Sequence, residues 1–276
     1  VLDKNRKLLG VIDIKNLLVA ERNQKLNELM DTNVITVNTL DDKEDVARIF
    51  DKYDYVALPV VDKEGRLVGI VTVDDAIDVM KEEASEDFEK MAAISPNEDG
   101  YYKTPVLIHA KNRIVWLLFL MFSSIVTGAV ITHYEQAFAA LPILVSFIPM
   151  IMGTGGNCGS QSSTLVIRGI AVDEIKTKDF LKVWWKEIRV AVIVGIIMAI
   201  VNGIRIVIQY NDLQLAVVVG LTLVVTIMIS KSLGSMLQLI CKKLKLDQAI
   251  MAAPLISTIL DTCSVLVFFN IAVAIM

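Results

Sequence analysis

AIMAAPLISTILDTCSVLVFFNIAVAIM, from Ala249 to Met276, is an apolar run of helix length with one charged side chain, Asp261, in its middle. At about 1.5 Å rise per residue the run exceeds the roughly 30 Å hydrocarbon core of a bilayer, which places Asp261 near the midplane. A carboxylate at that depth costs about 2.5–3.5 kcal/mol on insertion scales and normally faces a protein interior or a water-filled path. Arg205 and Lys231 are the bases inside other apolar spans, and both read as lying nearer span ends. A functional role for Asp261 is therefore favoured over a buried ion pair.

Four further apolar spans precede this one, near 112–132, 142–170, 187–209 and 213–240. With 54% hydrophobic residues and a mean hydropathy of +0.58, the chain reads as an integral membrane protein with a soluble part. Its charge is divided: residues 1–100 hold 13 Lys and Arg against 23 Asp and Glu, and residues 101–276 hold 14 against 8. An acidic soluble half beside a basic membrane half points away from nucleic acid and toward cations. The loops His133-Tyr-Glu-Gln136 and Tyr210-Asn-Asp212 carry no Lys or Arg, whereas the second loop region holds Arg168, Lys176, Lys178, Lys182, Lys186 and Arg189, and the fourth Lys242, Lys243 and Lys245. This asymmetry predicts a cell-membrane protein with the soluble half cytoplasmic and the C-terminus outside. Cys158, Cys241 and Cys263 lie in or beside apolar spans without C-x-x-C spacing, so they read as reduced packing residues. No leader pattern opens the chain.

The second span contains Pro149 and the run Gly153-Thr-Gly-Gly-Asn-Cys-Gly-Ser-Gln161. Glycines and amides here predict a break in the helix, which is tolerated at membrane depth only where protein buries it or water lines it. Small residues also serve close helix packing, but packing does not call for Asn157 and Gln161, so a pore-lining role is preferred. Gly195, Gly203, Gly220 and Gly234 with Ser230 read as packing positions.

In the soluble half, Leu2 to Leu18 and Val61 to Ile77 align at an offset of 59 as an internal repeat: strand, charged turn at Asn5 or Gly65, strand, helix. Val34 to Val37 reads as a short strand, Asp41 to Val46 as the capped start of a helix reaching Asp51, and Tyr55 to Val61 as the next strand. The first copy lacks this upstream half, so a piece of a longer domain is expected. From Asp74 a helix carries Asp75, Asp78, Glu82 and Glu86 on one stripe, with Lys81 the one base before Lys90. Like charges at this spacing repel, and a divalent cation would relieve them; a solvated acidic face is the plainer reading.

Asp54-Tyr-Val-Ala-Leu-Pro-Val-Val-Asp62 followed by Gly65-Arg-Leu-Val-Gly-Ile-Val-Thr-Val-Asp74 resembles a CBS domain. Such modules usually work in pairs and bind nucleotides in some proteins and metal ions in others, which makes nucleotide a secondary partner here. Pro149 to Gln161 (PMIMGTGGNCGSQ), with Ala253-Pro-Leu-Ile-Ser-Thr-Ile-Leu-Asp261, is similar to the MgtE family of magnesium channels. The resemblance implies an α+β CBS module (1–90), a linker and plug-helix region (91–111) and an all-α five-helix transmembrane domain (112–276). It further implies a homodimer with the pore between subunits, Asp261 holding hydrated Mg²⁺, and Gly156, Asn157, Gln161, Ala253 and Ser257 along the path. Cytosolic Mg²⁺ would be sensed by the CBS acids, for which Asp75, Asp78, Glu82 and Glu86 are the candidates. An amino-terminal helical domain and half of the first CBS repeat are missing relative to the family, and Ala253 stands where some members carry a polar residue.

An intramembrane aspartyl protease would need two carboxylates at depth, and serine chemistry a base near Ser160 or Ser257; His109 and His133 sit at span ends and no H-E-x-x-H occurs. The nearer alternative is a proton- or sodium-coupled divalent cation transporter, because one membrane Asp can also relay protons.

Overall fold

The computed structural model describes residues 1–97, 99–135, 142–244, 246 and 253–276, the side chain of Ala253 excepted. It divides into two units, Val1–Glu86 and Asp87–Met276.

In the first unit, strands β1 (Val37–Asn38), β2 (Ala57–Val61) and β3 (Leu67–Thr72) form a sheet in that order, β1 parallel and β3 antiparallel to β2. Two short helices, α1 (Ile14–Val19) and α2 (Leu26–Leu29), precede α3 (Lys43–Tyr53). Helix α3 starts where Asp42 accepts a hydrogen bond from the Glu44 N–H at 2.8 Å, an N-cap of the expected kind. Its residues Ala47 and Phe50, three apart on one face, pack with Val37, Leu58 and Ala76 into the core of this unit. Ala76 belongs to α4 (Val73–Met91).

The internal repeat is visible as a shared turn. Asp62 accepts from the Glu64 and Arg66 N–H groups, and Asp3 accepts from Asn5 and Lys7 in the same way. The left-handed position falls on Gly65 (φ 77°) in one copy and on Arg6 (φ 64°), not Asn5, in the other. The two turns pair with each other, Leu8 N–H donating to Gly65 and Leu67 N–H to Arg6. The first copy forms isolated bridges in place of the predicted strands, Leu2 opposite Leu8 and Lys7 opposite Arg66. The short strand expected at Val34 to Val37 is reduced to β1.

The second unit holds five helices long and apolar enough to cross a membrane. These are α5 (Val106–His133), α6 (Ile148–Ala171, entered through a 3-10 segment at Pro142–Phe147), α7 (Phe180–Tyr210), α8 (Leu213–Lys243) and α9 (Ala253–Ile275). The shortest has 23 residues, about 34 Å at 1.5 Å each, enough for the hydrocarbon core. The chain is a multi-pass membrane protein. Helices α5 and α7 begin six and seven residues before the expected spans; in α7, Lys182, Trp184, Trp185 and Lys186 continue the helix as amphipathic first turns rather than ending it. Between α7 and α8, Asn211 takes the left-handed conformation (φ 52°) that ends one helix, and Asp212 caps the next by accepting from Leu215 N–H at 2.9 Å.

Helix α8 is the axis of the bundle, packed on α6, α7 and α9, while α5 packs chiefly on α9. An apolar cluster of Phe147, Ile151, Ile206, Leu215, Phe268 and Phe269 closes one end. Elsewhere the buried side of α8 is polar and small, with Thr222, Thr226, Ser230, Ser235 and Gln238 all at most 1% exposed. Gly195 and Gly220 are packing positions as expected, but a Cβ at Gly203 would meet nothing within 4 Å. At Gly234 a Cβ would run into the Gly159 carbonyl oxygen, so α6 and α8 touch backbone to backbone. Gly234→Val should cost about 1–3 kcal/mol by forcing these helices apart, read as a lowered melting temperature in detergent.

Candidate functional site

Asp261 stands on α9, half-buried, and no hydrogen bond or ion pair reaches its carboxylate among the described residues. The two bases that could have neutralised it are engaged elsewhere. Lys231 Nζ lies 3.8 Å from Glu187 Oε2 and donates to Ser162 Oγ at 3.2 Å. Arg205 Nε donates to Asn202 at 3.1 Å, with its guanidinium over the Phe147 ring. Beside Asp261, the Thr262 and Thr127 hydroxyls share a hydrogen bond of 2.6 Å that fixes α9 against α5.

Helix α6 has two chemical faces. The predicted break is absent: residues 148–171 form one continuous helix, because Pro149 falls in the first turn, where its missing N–H is not needed. Gly155, Gly156 and Gly159 point into the bundle, where Cβ atoms would meet Ser264, Ser257 and Leu260 respectively. Asn157, Gln161 and Thr164 are exposed on the other side. With Ser160 and Leu165 they line an open groove of about 600 Å³. Ser160 Oγ lies 3.5 Å from Ser257 Oγ, and Ser257 precedes Asp261 by one helical turn. Ser257 of α9 thus meets α6 at Gly156 and Ser160, the residues next in sequence to Asn157 and Gln161, with Gly156 allowing Ser257 its close approach. The side chain of Ala253 and residues 249–252 lie outside the described residues, as do Gln136 and Lys245 of the loops.

On α4, the acids expected to sense metal have local partners. Asp75 accepts from the Thr72 hydroxyl at 2.8 Å and Asp78 pairs with Lys81 at 3.2 Å. Lys43, at the start of α3, reaches Glu83 at 3.0 Å and Glu82 at 3.7 Å. The Glu83 carboxylate, ahead of Glu82 and Glu86, holds the Lys43 ammonium above its ordinary pKa. Among the described residues no three His, Cys, Asp or Glu side chains are grouped to hold a metal within one chain. In the same unit a cleft of about 180 Å³ is lined by Lys7, Gly10, Thr32, Thr36, Val61 and Gly65.

Two features escape the sequence. Lys43 lies some forty residues before the acids it meets, and the Glu187–Ser162–Lys231 contact joins three helices. The signal that could have found the second is a pair of opposite charges, Glu187 at the edge of one apolar span and Lys231 inside another.

A family model described as a divalent cation transporter, MgtE, matches residues 148–271, and a CBS domain model matches residues 26–82. The chain carries an MgtE domain and, ahead of it, a CBS domain. The MgtE segment carries α6, α7, α8 and most of α9, and with them Asn157, Gln161, Ser257 and Asp261. The magnesium transporter MgtE of Bacillus subtilis is 37% identical over 274 residues, 99% of this chain and 60% of that protein. The magnesium transporter MgtE of Thermus thermophilus is 35% identical over 272 residues, again 99% and 60%. The chain thus spans about three fifths of the length of these MgtE relatives. The cytosolic domain of the Mg²⁺ channel MgtE in complex with ATP is a solved structure 49% identical over 29% of this chain and 32% of its own, with a TM-score of 0.28. The curated relatives are named as magnesium transporters, not as enzymes.

Proposed function

We propose that the chain conducts Mg²⁺ across a cell membrane through a path between two copies, with Asp261 as its central ligand. The observation that carries this reading is the carboxylate of Asp261, without a hydrogen bond or ion pair among the described residues, one helical turn from Ser257, which reaches Ser160 of the groove that Asn157 and Gln161 line. Lipid tails cannot satisfy such groups, so water or a second polar surface must meet them. A two-fold axis at this surface makes two Asp261 side chains face each other, the commonest closed symmetry of homo-oligomers. Together they balance one divalent ion that keeps its water shell, which suits Mg²⁺ because it dehydrates reluctantly. Asn157, Gln161 and Ser257 then contact the shell, Gly156 lets Ser257 approach α6, and the Ala253 position adds backbone only. The Lys and Arg asymmetry of the loops supports a cytoplasmic CBS unit and an outside C-terminus.

Asn157→Leu removes an amide from the groove without touching the packed face of α6. Mg²⁺ uptake into proteoliposomes should fall severalfold at an unchanged melting temperature and dimer fraction. If dimer, melting temperature and uptake fall in proportion, the stretch is packing and the pathway lies elsewhere. Uptake that requires a proton or sodium gradient would identify a coupled transporter instead.

A further inference from the structure

We infer that Glu187 and Lys231, bridged by Ser162, are positioning residues for the ion pathway: their ion pair fixes the rotation of α6 so that Asn157 and Gln161 stay on the open groove. The inference rests on the pathway proposed above.

Both charges are inside the bundle, Lys231 5% and Glu187 9% exposed, and Ser162 between them is fully buried. The Ser162 hydroxyl donates to Glu187 Oε2 at 2.6 Å and accepts from Lys231 Nζ at 3.2 Å, using both of its capacities. One oxygen on α6 is therefore held from α7 and α8 at once. Replacing a buried ion pair with packed apolar side chains is usually neutral or stabilising, so stability alone does not account for it. Its place on α6 does. Ser162 follows Gln161 directly, and the next residue, Ser163, accepts from Gln238 Nε2 at 2.9 Å. Gly159 meets Gly234 one turn earlier. The anchored positions 159, 162 and 163 alternate with the exposed positions 157, 161 and 164, so the two sets lie on opposite sides of one helix. Each residue turns the helix by about 100°, so slippage by a single position would carry the amides off the groove.

Ser162→Ala keeps both charges and a good helix former while cutting the link to α6. Mg²⁺ uptake by the purified variant in proteoliposomes should fall roughly tenfold, as when a partner that orients a metal ligand is removed. The melting temperature should stay near that of the wild type, and the ratio of Mg²⁺ to Ca²⁺ uptake should drop, which a merely structural contact would not change. Glu187→Lys and Lys231→Glu should each lose uptake, and the double exchange should restore it, because the serine hydroxyl can both donate and accept. Wild-type uptake and ion ratio in Ser162→Ala overturn the inference, and so does loss of the folded protein, which would make the bridge an element of the fold. If Asp261→Asn and Asn157→Leu abolish or reduce uptake while Ser162→Ala does not, this inference alone fails. If those two variants conduct normally, the pathway reading fails and takes this one with it.

Discussion

Asp261→Asn is expected to reduce Mg²⁺ uptake to the level of empty vesicles while the protein still inserts and folds. The substitution keeps the shape of the side chain and removes the charge that would attract and balance the ion. In the folded chain the carboxylate has no protein partner among the described residues, so nothing in the bundle depends on its charge. Insertion becomes easier, since the charged form carries a cost of about 2.5–3.5 kcal/mol at the midplane. A folded Asp261→Asn protein with wild-type uptake would remove Asp261 from the pathway. By contrast, Lys231→Met should damage folding as well as uptake, because it strands Glu187 in the interior.

The second large effect is expected at α4. Changing Asp75, Asp78, Glu82 and Glu86 to Asn or Gln should remove the Mg²⁺ dependence of protease protection between Pro96 and Pro105, leaving conduction through Asp261 intact. In the proposed mechanism these carboxylates repel their counterparts in the second copy, and Mg²⁺ favours the compact, closed arrangement. The ion can shift that balance only by its differential affinity, about 1.4 kcal/mol for each tenfold preference. Lys43 competes with metal, since it occupies Glu82 and Glu83 in this structure. Lys43→Ala should therefore lower the Mg²⁺ concentration needed for protection. The reporter segment is itself folded: Ser95 N–H donates to Asn112 and Asn97 Nδ2 to Thr104 Oγ1 at 2.6 Å. Protection should fall only when those contacts open. Full Mg²⁺-dependent protection in the quadruple variant would make the stripe a solvated face.

The five membrane helices were legible because each is a long apolar run, and an apolar run needs no partner to be recognised. Asp261 was legible for the converse reason, as one charge in such a run. The glycines of α6 were not. They read as a broken helix because what fills the space beside them is Gly234 and Ser230 on α8 and Ser257 and Ser264 on α9, some 70 to 110 residues away in the chain. Gly156 illustrates the difference, being buried against Ser257 while its neighbour Asn157 is exposed. Glu187 sat at a span boundary among basic residues, where a charge draws no notice until Lys231 is found opposite it. In the soluble unit the turn was placed correctly, but Arg6 rather than Asn5 takes the left-handed position, because Arg6 aligns with Gly65 in the repeat. The base that meets Glu82 and Glu83 of α4 was not legible for the same reason as the glycines: Lys43 comes from another helix.

Whether two copies of Asp261 share one divalent ion is decided by a structure of the chain in lipid nanodiscs with Mn²⁺ replacing Mg²⁺. A single metal density is expected on the two-fold axis between the two carboxylates, beside Asn157 and Ser257, and should be lost in Asp261→Asn. Two Asp261 side chains facing apart, with metal bound elsewhere or not at all, would contradict it.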